Sequence, residues 1–500
     1  MDDGRPEADQ PTYGNRRPAR AQTAGSARAL MVVGKTLAGL ALVALALAGA
    51  MTYRSGVLPL WWLVGGAVVA VAVTVGVSVA LWRTRLPGHP VRFGLLSGLS
   101  LILIALSLVL SHAMVALTDF THGIQPNTDA TVRYDVIALK SHSPDIASLA
   151  GGQVGRLEGD PNAALVQTEL NRLVQVHLVD VADPGALAEL ITDATLPGAV
   201  INDAYLSLYE ENLPEFYASI QILHSFDIVP LGPTRAPTWS PPTPGSTSQP
   251  FVLYISGVDS YSYSGRSDVN ILAVVNPGSG RILLVSTPRD YYVQLHGTTG
   301  RKDKLTHAGI YGVDMSVATL QDLYQIEIDY WLRINFGSVV RLVDTVGGID
   351  VHSDYAFTSA HQGYHFVQGW NHLNGEQALS FARERYSFAG GDRVRGQNQE
   401  KIIEGLVRRF SDPTILLRYN TILSSLQDAF QTSTPSDVIT GLVNHQLSQR
   451  TDWQIESISV NGSDASEPTY SMGNQRLYVM IPDMTTVQAA RDHIAQVLAG

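Results

Sequence analysis

The chain has 500 residues, 45% of them hydrophobic, and a formal net charge of −11; its mean hydropathy of +0.06 lies between soluble and membrane proteins. Residues 1–118 hold 10 Lys+Arg against 4 Asp+Glu (net +6), and the remaining 382 residues hold 24 against 41 (net −17). An acidic body argues against nonspecific nucleic-acid binding, which needs clustered cations to neutralise phosphates. The lack of cysteine excludes disulfides, thiolate catalysis and Cys-based zinc sites.

Three stretches, Thr36–Tyr53, Leu60–Trp82 and Phe93–Thr118, are apolar and free of Lys, Arg and Glu, with only Asp119 following the third. Each approaches or exceeds the roughly 20 residues that span a bilayer as a helix. The Arg-bearing segment 1–28 reads as a disordered cytoplasmic tail and 29–118 as three transmembrane helices. Arg83, Arg85 and Arg92 between the second and third spans outweigh Arg54 between the first and second. Positive-inside counting therefore places the amino terminus in the cytoplasm and everything after the third span outside the cell membrane.

Residues 119–230 alternate short β-rich runs (Val132–Leu139, Leu173–Val181, Ala199–Asn202) with helical ones (Asn162–Leu173, Gly185–Thr192), the pattern of a small α/β domain with a partly parallel sheet. A Pro-, Ser-, Thr- and Gly-rich stretch at 231–250 reads as a stiff linker. From Phe251 to Gly500, buried strands (Phe251–Gly257, Val269–Val275, Ile282–Thr287, Tyr330–Asn335) alternate with helices (Gly312–Gln325, Phe336–Val346, Gly375–Arg385, Gln397–Phe410). Strands at Trp453–Val460 and Arg476–Ile481 and a helix at Thr485–Leu498 complete the pattern. The expectation is a three-layer α/β/α architecture.

Charged residues collect at the ends of these strands. Asp259 follows the first strand and Asp268 opens the second; they could share a hard divalent cation or simply form turns. Arg289 and Asp290 follow Pro288, where an α/β sheet binds anions, or form a surface ion pair. Lys304 and His307 enter a helix, and His307 suits a structural hydrogen bond better than catalysis. Between Arg383 and Lys401 stand five cations and three anions, with Gly390-Gly391 in the middle. Extended backbone would throw the alternate arginines to one side, beside the amino-terminal N–H groups of the next helix, and a diphosphate is the natural ligand; a solvated charge run is the plainer alternative. His361 and His365 lack the Glu of a zincin, and the sequon at Asn461 matters only in a eukaryotic secretory pathway.

Taken in order, Gly257-Val-Asp259, Gly265-Arg-Ser-Asp268, Ser286-Thr-Pro-Arg289-Asp290, Lys304-Leu-Thr-His307-Ala308, Val346-Gly-Gly-Ile-Asp350, Leu373-Asn-Gly-Glu-Gln-Ala-Leu379, Arg383-Glu-Arg385 and Gly391-Asp392-Arg-Val-Arg395-Gly-Gln-Asn398-Gln399 resemble the LytR-CpsA-Psr family. The likeness is strong over 251–410 and looser from Trp453 to Leu498. Three spans and an accessory domain are similar to the capsule-type members of Gram-positive bacteria. The resemblance implies an extracellular phosphotransferase that moves a glycosyl-phosphate polymer, capsular or teichoic acid-like, from a polyprenyl-pyrophosphate carrier to a peptidoglycan sugar hydroxyl or a glycosylated protein. It implies Mg²⁺, or Mn²⁺, at Asp259 and Asp268, with Asp259, Asp268, Arg289 and Arg383 catalytic and one of the two aspartates the base. Arg266, Arg289, Arg383, Arg385 and Gln399 would bind the pyrophosphate, supported by Asp290, Lys304, Asp392 and Arg395; Asn398 stands where some members carry Arg. Apolar helix faces would form a groove for the polyprenyl chain. The competing readings are a membrane-bound regulator of cell-envelope gene expression, which lacks a helix-turn-helix pattern here, and a polyprenyl-pyrophosphate hydrolase.

Overall fold

A computed structural model describes residues 19–55, 60–84, 89–123, 132–142, 145–158, 160, 162–228, 249–258, 265–412, 415 and 430–500. Most of the Pro-rich stretch, and Asp259, lie outside the described residues. The chain divides into two units, residues 1–118 and 119–500.

The first unit holds helices α1 (Ala19–Ser55), α2 (Leu60–Arg83) and α3 (Pro90–Gly123). Arg28–Arg54, Val64–Arg83 and Pro90–Val115 within them are long and apolar enough to cross a membrane. Many of their Leu and Val side chains point outward, including Val68, Leu95 and Val109, as a lipid-facing surface requires. Residues 19–28, expected in a disordered tail, are helical. Ala, Arg and Gln are good helix formers, and they add turns to a helix already nucleated by the apolar run behind them.

The second unit contains two large sheets. The smaller is built from β1 (Val132–Leu139), β2 (Gln153–Leu157), β3 (His177–Val181), β4 (Ala199–Asn202) and β5 (Ile220–Ile228), in the order β3-β2-β4-β1-β5. Its β2 pairs are parallel and its β1 pairs antiparallel. Helices α4 (Ala163–Leu173), α5 (Pro184–Thr192), α6 (Ala204–Asn212) and α7 (Pro214–Ser219) accompany it. The expected strand from Leu173 begins only at His177, because Leu173 still closes α4.

The larger sheet uses β6 (Phe251–Val258), β7 (Ser267–Asn276) and β8 (Arg281–Ser286); the short pair β9 (Tyr292–Val293) and β10 (Asp303–Lys304) follows. Next come α8 (Leu305–Ala308), α9 (Val313–Tyr324), β11 (Tyr330–Asn335) and α10 (Phe336–Thr345). The strands β12 (Ile349–Ser353), β13 (Phe357–Thr358), β14 (His365–Phe366) and β15 (Gly369–Leu373) precede α11 (Gly375–Arg383) and α12 (Asp392–Phe410). The rest is β16 (Phe430–Thr432), α13 (Ser436–Gln449), β17 (Gln454–Ser459), β18 (Gly462–Pro468), β19 (Arg476–Pro482) and α14 (Met484–Ala499). The order β16-β11-β6-β7-β8-β17 leaves β6, β8, β11 and β17 running the same way, with β7 reversed among them.

Alternate side chains of these strands enter two cores. Tyr254, Leu272, Val274, Leu283 and Val285 pack under α9 and α14 with Val317, Leu320, Val487 and Ile494. Ile255, Ile271, Ala273, Ile282 and Leu284 face Ile403 and Val407 of α12. Both faces are therefore apolar, which makes the strands read as continuous hydrophobic runs; each fully buried aliphatic side chain contributes about 1.5–3 kcal/mol. The apolar faces of α10, α11 and α12 pack on the β12–β15 pair through Val343, Val351, Phe381 and Ile402.

Two buried devices fix the strand edge where the sheet meets α8. Arg333 of β11 donates from Nη2 to the Gly265 carbonyl at 2.7 Å; burial pushes its guanidinium down to about 10, with Tyr254 and Asp314 countering part of the shift. Gly309 lies against the start of β7 so closely that a Cβ there would sit 2.5 Å from Ser267 N and 2.8 Å from the Gly265 carbonyl oxygen. Gly309→Ala should therefore push backbone against backbone and destabilise the protein by about 1–3 kcal/mol. Thermal melts of the detergent-solubilised chain check this, and an unchanged melting temperature would show that the contact yields freely.

A candidate anion site at the carboxyl ends of the strands

The cleft forms where β8 and β17 end, β7 begins and α12 starts. Its lining includes Asp268, Arg289, Arg393, Arg395, Gln399 and Asn461. Strand β8 stops because Pro288 has no N–H to extend the ladder, and the chain turns so that Arg289 enters the cleft. Helix α12 starts at Asp392, five residues before the expected Gln397, so Arg393 and Arg395 sit on a first helical turn rather than on extended backbone. Gly391 at φ 45° makes the preceding bend, and the first turn brings its positive end to the cleft.

Asp268 anchors the arrangement. It is buried, its Oδ1 accepts from Thr306 Oγ1 at 2.8 Å, and it pairs with Arg289 Nη1 at 2.9 Å. Burial alone would raise its carboxyl, but Arg289, Arg266, Arg395 and the Thr306 hydroxyl together hold it below the usual carboxylate range. Its buried Oδ2 has no hydrogen-bond partner among the described residues, an arrangement that suits a hard cation. No group of three or more His, Asp or Glu that could hold a metal occurs among the described residues; Mg²⁺ typically takes only one or two carboxylates and completes its shell with substrate phosphates and water, so the donor set fits.

Arg289 also donates from Nη2 to both carboxylate oxygens of Glu211, each at 2.9 Å, and Arg266 pairs with the same carboxylate. Asp290 holds Lys304 Nζ at 2.9 Å, while its Oδ1 is 3.8 Å from Arg289 Nε. Lys304 is buried beside the Tyr478 ring. His307 Nδ1 lies 2.6 Å from Asp303 Oδ1 and 2.7 Å from Ser471 Oγ. Both partners meet the same nitrogen of a buried ring, which ties the loop before β19 to α8.

The second arginine cluster is held differently. Arg383 closes α11 with its guanidinium 4.1 Å above the Phe336 ring, and exposed Arg385 stacks 4.7 Å from the Tyr386 ring. Neither belongs to the lining of the cleft around Asp268. Between them Glu384 is buried and accepts from Ala360 N at 2.6 Å and Ser387 N at 3.0 Å. Burial opposes its ionisation, but those backbone N–H groups and that of Tyr386 win and hold its carboxyl low. Asn398 donates to the Phe381 carbonyl and so joins α12 to α11. Asp392 occupies the first helical position of α12; its side chain is outside the described residues. Sequence reasoning missed Glu211, Thr306, Glu384 and Arg393. Glu384, Arg393 and Thr306 stood inside recognised clusters, and Glu211 in none.

Glu400, one turn further along α12, accepts from Ser459 Oγ at 3.0 Å. Burial pushes its carboxyl up to about 7, against the lowering effects of Ser459, Ser286 and Lys401. A raised folded-state pKa stabilises below the unfolded value and loses that contribution as pH rises through the folded one. Glu400→Gln should therefore match the wild type near pH 4.5 and exceed it by roughly 2–3 kcal/mol at pH 8. Melting temperatures across that range test the sign; equal curves at pH 8 would contradict it.

The LytR_cpsA_psr family model matches residues 234–491. Polyisoprenyl-teichoic acid–peptidoglycan teichoic acid transferase TagU of Bacillus anthracis is 36% identical over 194 residues, 38% of this chain and 63% of that protein. The transferase of the same name from Enterococcus faecalis is 36% identical over 197 residues, 38% of this chain and 64% of its own length. The match thus spans less than two thirds of these curated relatives. The crystal structure of B. subtilis TagV aligns at 28% identity with a TM-score of 0.43, covering 50% of this chain and 98% of that one. Because the family match takes in more than half of the 500 residues and carries both the strand-end cleft and the arginine clusters, the chain belongs to the LytR-CpsA-Psr family.

Proposed function

We propose that the chain is a membrane-anchored phosphotransferase. It moves a glycosyl-phosphate polymer from a polyprenyl-pyrophosphate carrier to a peptidoglycan sugar hydroxyl, with its amino terminus in the cytoplasm and residues 119–500 outside. The observation that carries this reading is the cleft in which Arg289 and Arg395 surround an ionised Asp268. The transferase activity named for the TagU relatives supports it, as does the charge asymmetry of the loops between the spans.

Arg289, Arg393, Arg395 and Gln399 bind and orient the diphosphate, whose leaving group departs more readily once its charge is neutralised. Guanidinium forks suit this task because they match phosphate oxygens in pairs. Asp268, through its unpartnered Oδ2, and Asp259 would hold Mg²⁺, which supplies charge neutralisation between the phosphoryl groups. The proton of the acceptor hydroxyl goes to whichever of Asp259 and Asp268 the metal leaves free. Arg383 and Arg385, stacked on the Phe336 and Tyr386 rings, are assigned to the same diphosphate.

The full chain in detergent, given a lipid-diphosphate saccharide, Mg²⁺ and a peptidoglycan acceptor, should leave phosphate on the acceptor. Arg289→Ala should cut that rate by about 100-fold or more; Arg289→Lys, which keeps a charge beside Asp268 but loses the paired donors, tests the same role if the alanine variant does not fold. Saccharide phosphate released into solution without acceptor labelling would replace transfer with hydrolysis, and no turnover would favour a regulatory role.

A further inference from the structure

The most unexpected contact in the exported unit is made by Glu211. This residue lies in the last turn of α6, on the smaller sheet's side of the unit, yet its carboxylate reaches Arg289 of the cleft and the neighbouring Arg266. Both oxygens are 2.9 Å from Arg289 Nη2, and Oε2 also pairs with Arg266 Nη1.

Helix α6 is not loosely placed. Ala204 and Leu208 pack with Ile310, Met472 and Leu477 of the larger domain, and the Asn212 carbonyl accepts from Gln475 Nε2 at 2.9 Å. Asp183 at the start of α5 lies against Gly473. Hydrophobic packing and a backbone hydrogen bond therefore hold the Glu211 backbone beside the cleft.

The three side chains are unequal. Arg289 is 6% exposed and Arg266 11%, whereas Glu211 is 36% exposed. Asp268 neutralises one of the two buried guanidiniums and leaves one positive charge in excess, so a second anion beside the pair lowers the desolvation cost. The Glu211 carboxylate is the partner with access to water, and it loses least by returning there. A carboxylate and a phosphoryl group present paired oxygens that the same guanidinium fork accepts, so one can replace the other without rebuilding the arginines.

We infer that Glu211 is an accessory-domain residue of the phosphate-binding site, an internal anion that occupies the Arg266–Arg289 pair until the substrate's diphosphate displaces it. The accessory domain thereby sets the affinity of the cleft. It keeps the arginines aligned between turnovers and raises the threshold for stray anions. This inference rests on the phosphate-cleft reading above.

Calorimetric titration of the full chain in detergent with inorganic pyrophosphate separates the two. Wild type should bind and Arg289→Ala should not. Glu211→Gln, which keeps the shape and removes the charge, and Glu211→Ala should each bind about tenfold more tightly, the equivalent of one charge-assisted hydrogen bond that no longer has to be broken. Melting curves establish which of the two variants is folded, and either one suffices. Unchanged or weaker binding by a folded Glu211 variant, with wild type binding and Arg289→Ala not, would overturn the internal-anion role and leave the phosphate cleft standing. No pyrophosphate binding by wild type, or binding indifferent to Arg289, would overturn both.

Discussion

The buried pair between Asp268 and Arg289 is the interaction on which the arrangement of the cleft depends. A carboxylate and a guanidinium taken out of water at 2.9 Å are tolerated only when the remaining hydrogen-bonding groups are also satisfied. Thr306 completes one carboxylate oxygen, Glu211 completes the guanidinium, and the Arg289 carbonyl accepts from Thr306 N at 2.9 Å. Removing one member leaves an uncompensated charge in the interior, a change far costlier than losing a surface ion pair. Among the described residues Asp268 Oδ2 has no hydrogen-bond partner, which makes it the carboxylate oxygen suited to a hard cation.

Sheet topology puts this pair in place. Reversing β7 among parallel strands brings its first residues to the edge where β6, β8 and β17 finish. Asp268 and Arg289 are then neighbours although 21 positions separate them. Arg333 and Gly309 brace that edge from behind, and α12 approaches closely enough for Gly396 to lie 3.4 Å, measured from a Cβ built there, from Ser286 Oγ. Arg289, Arg393 and Arg395 thus rest on a strand end and a helix start, elements held by two cores, which pre-orders the cleft for the proposed diphosphate.

Much of this was legible before any coordinates. Strands buried on both faces announce themselves as continuous apolar runs, and Tyr330–Asn335 and Val132–Leu139 match their expected limits. The order of short charged motifs pointed to strand ends because Pro288 and the glycines punctuate the pattern. What escaped was set by distant partners. The β12–β15 pair alternates exposed and buried residues over only five positions, too short to register as periodicity. The early start of α12 was hidden by Gly390, Gly391 and a dense charge run that reads equally well as loop. Glu211 had no local signal at all: it sits beside Glu210 in an exposed-looking helix end, and only tertiary packing brings it 78 positions along the chain to Arg289. The separation of Arg383 and Arg385 from the Asp268 cleft likewise follows from how α11 packs on α10, with Phe336 drawing one guanidinium and Tyr386 the other.

The central claim is that strand-end arginines around Asp268 receive the diphosphate. A crystal structure of the full chain, grown with Mg²⁺ and a short-chain polyprenyl diphosphate saccharide, tests it most directly. The account predicts diphosphate oxygens within hydrogen-bond distance of Arg289 and Arg395, a metal ion at Asp268 Oδ2, and the Glu211 carboxylate turned out to solvent. A diphosphate bound elsewhere, with Glu211 still bridging Arg266 and Arg289, would contradict it.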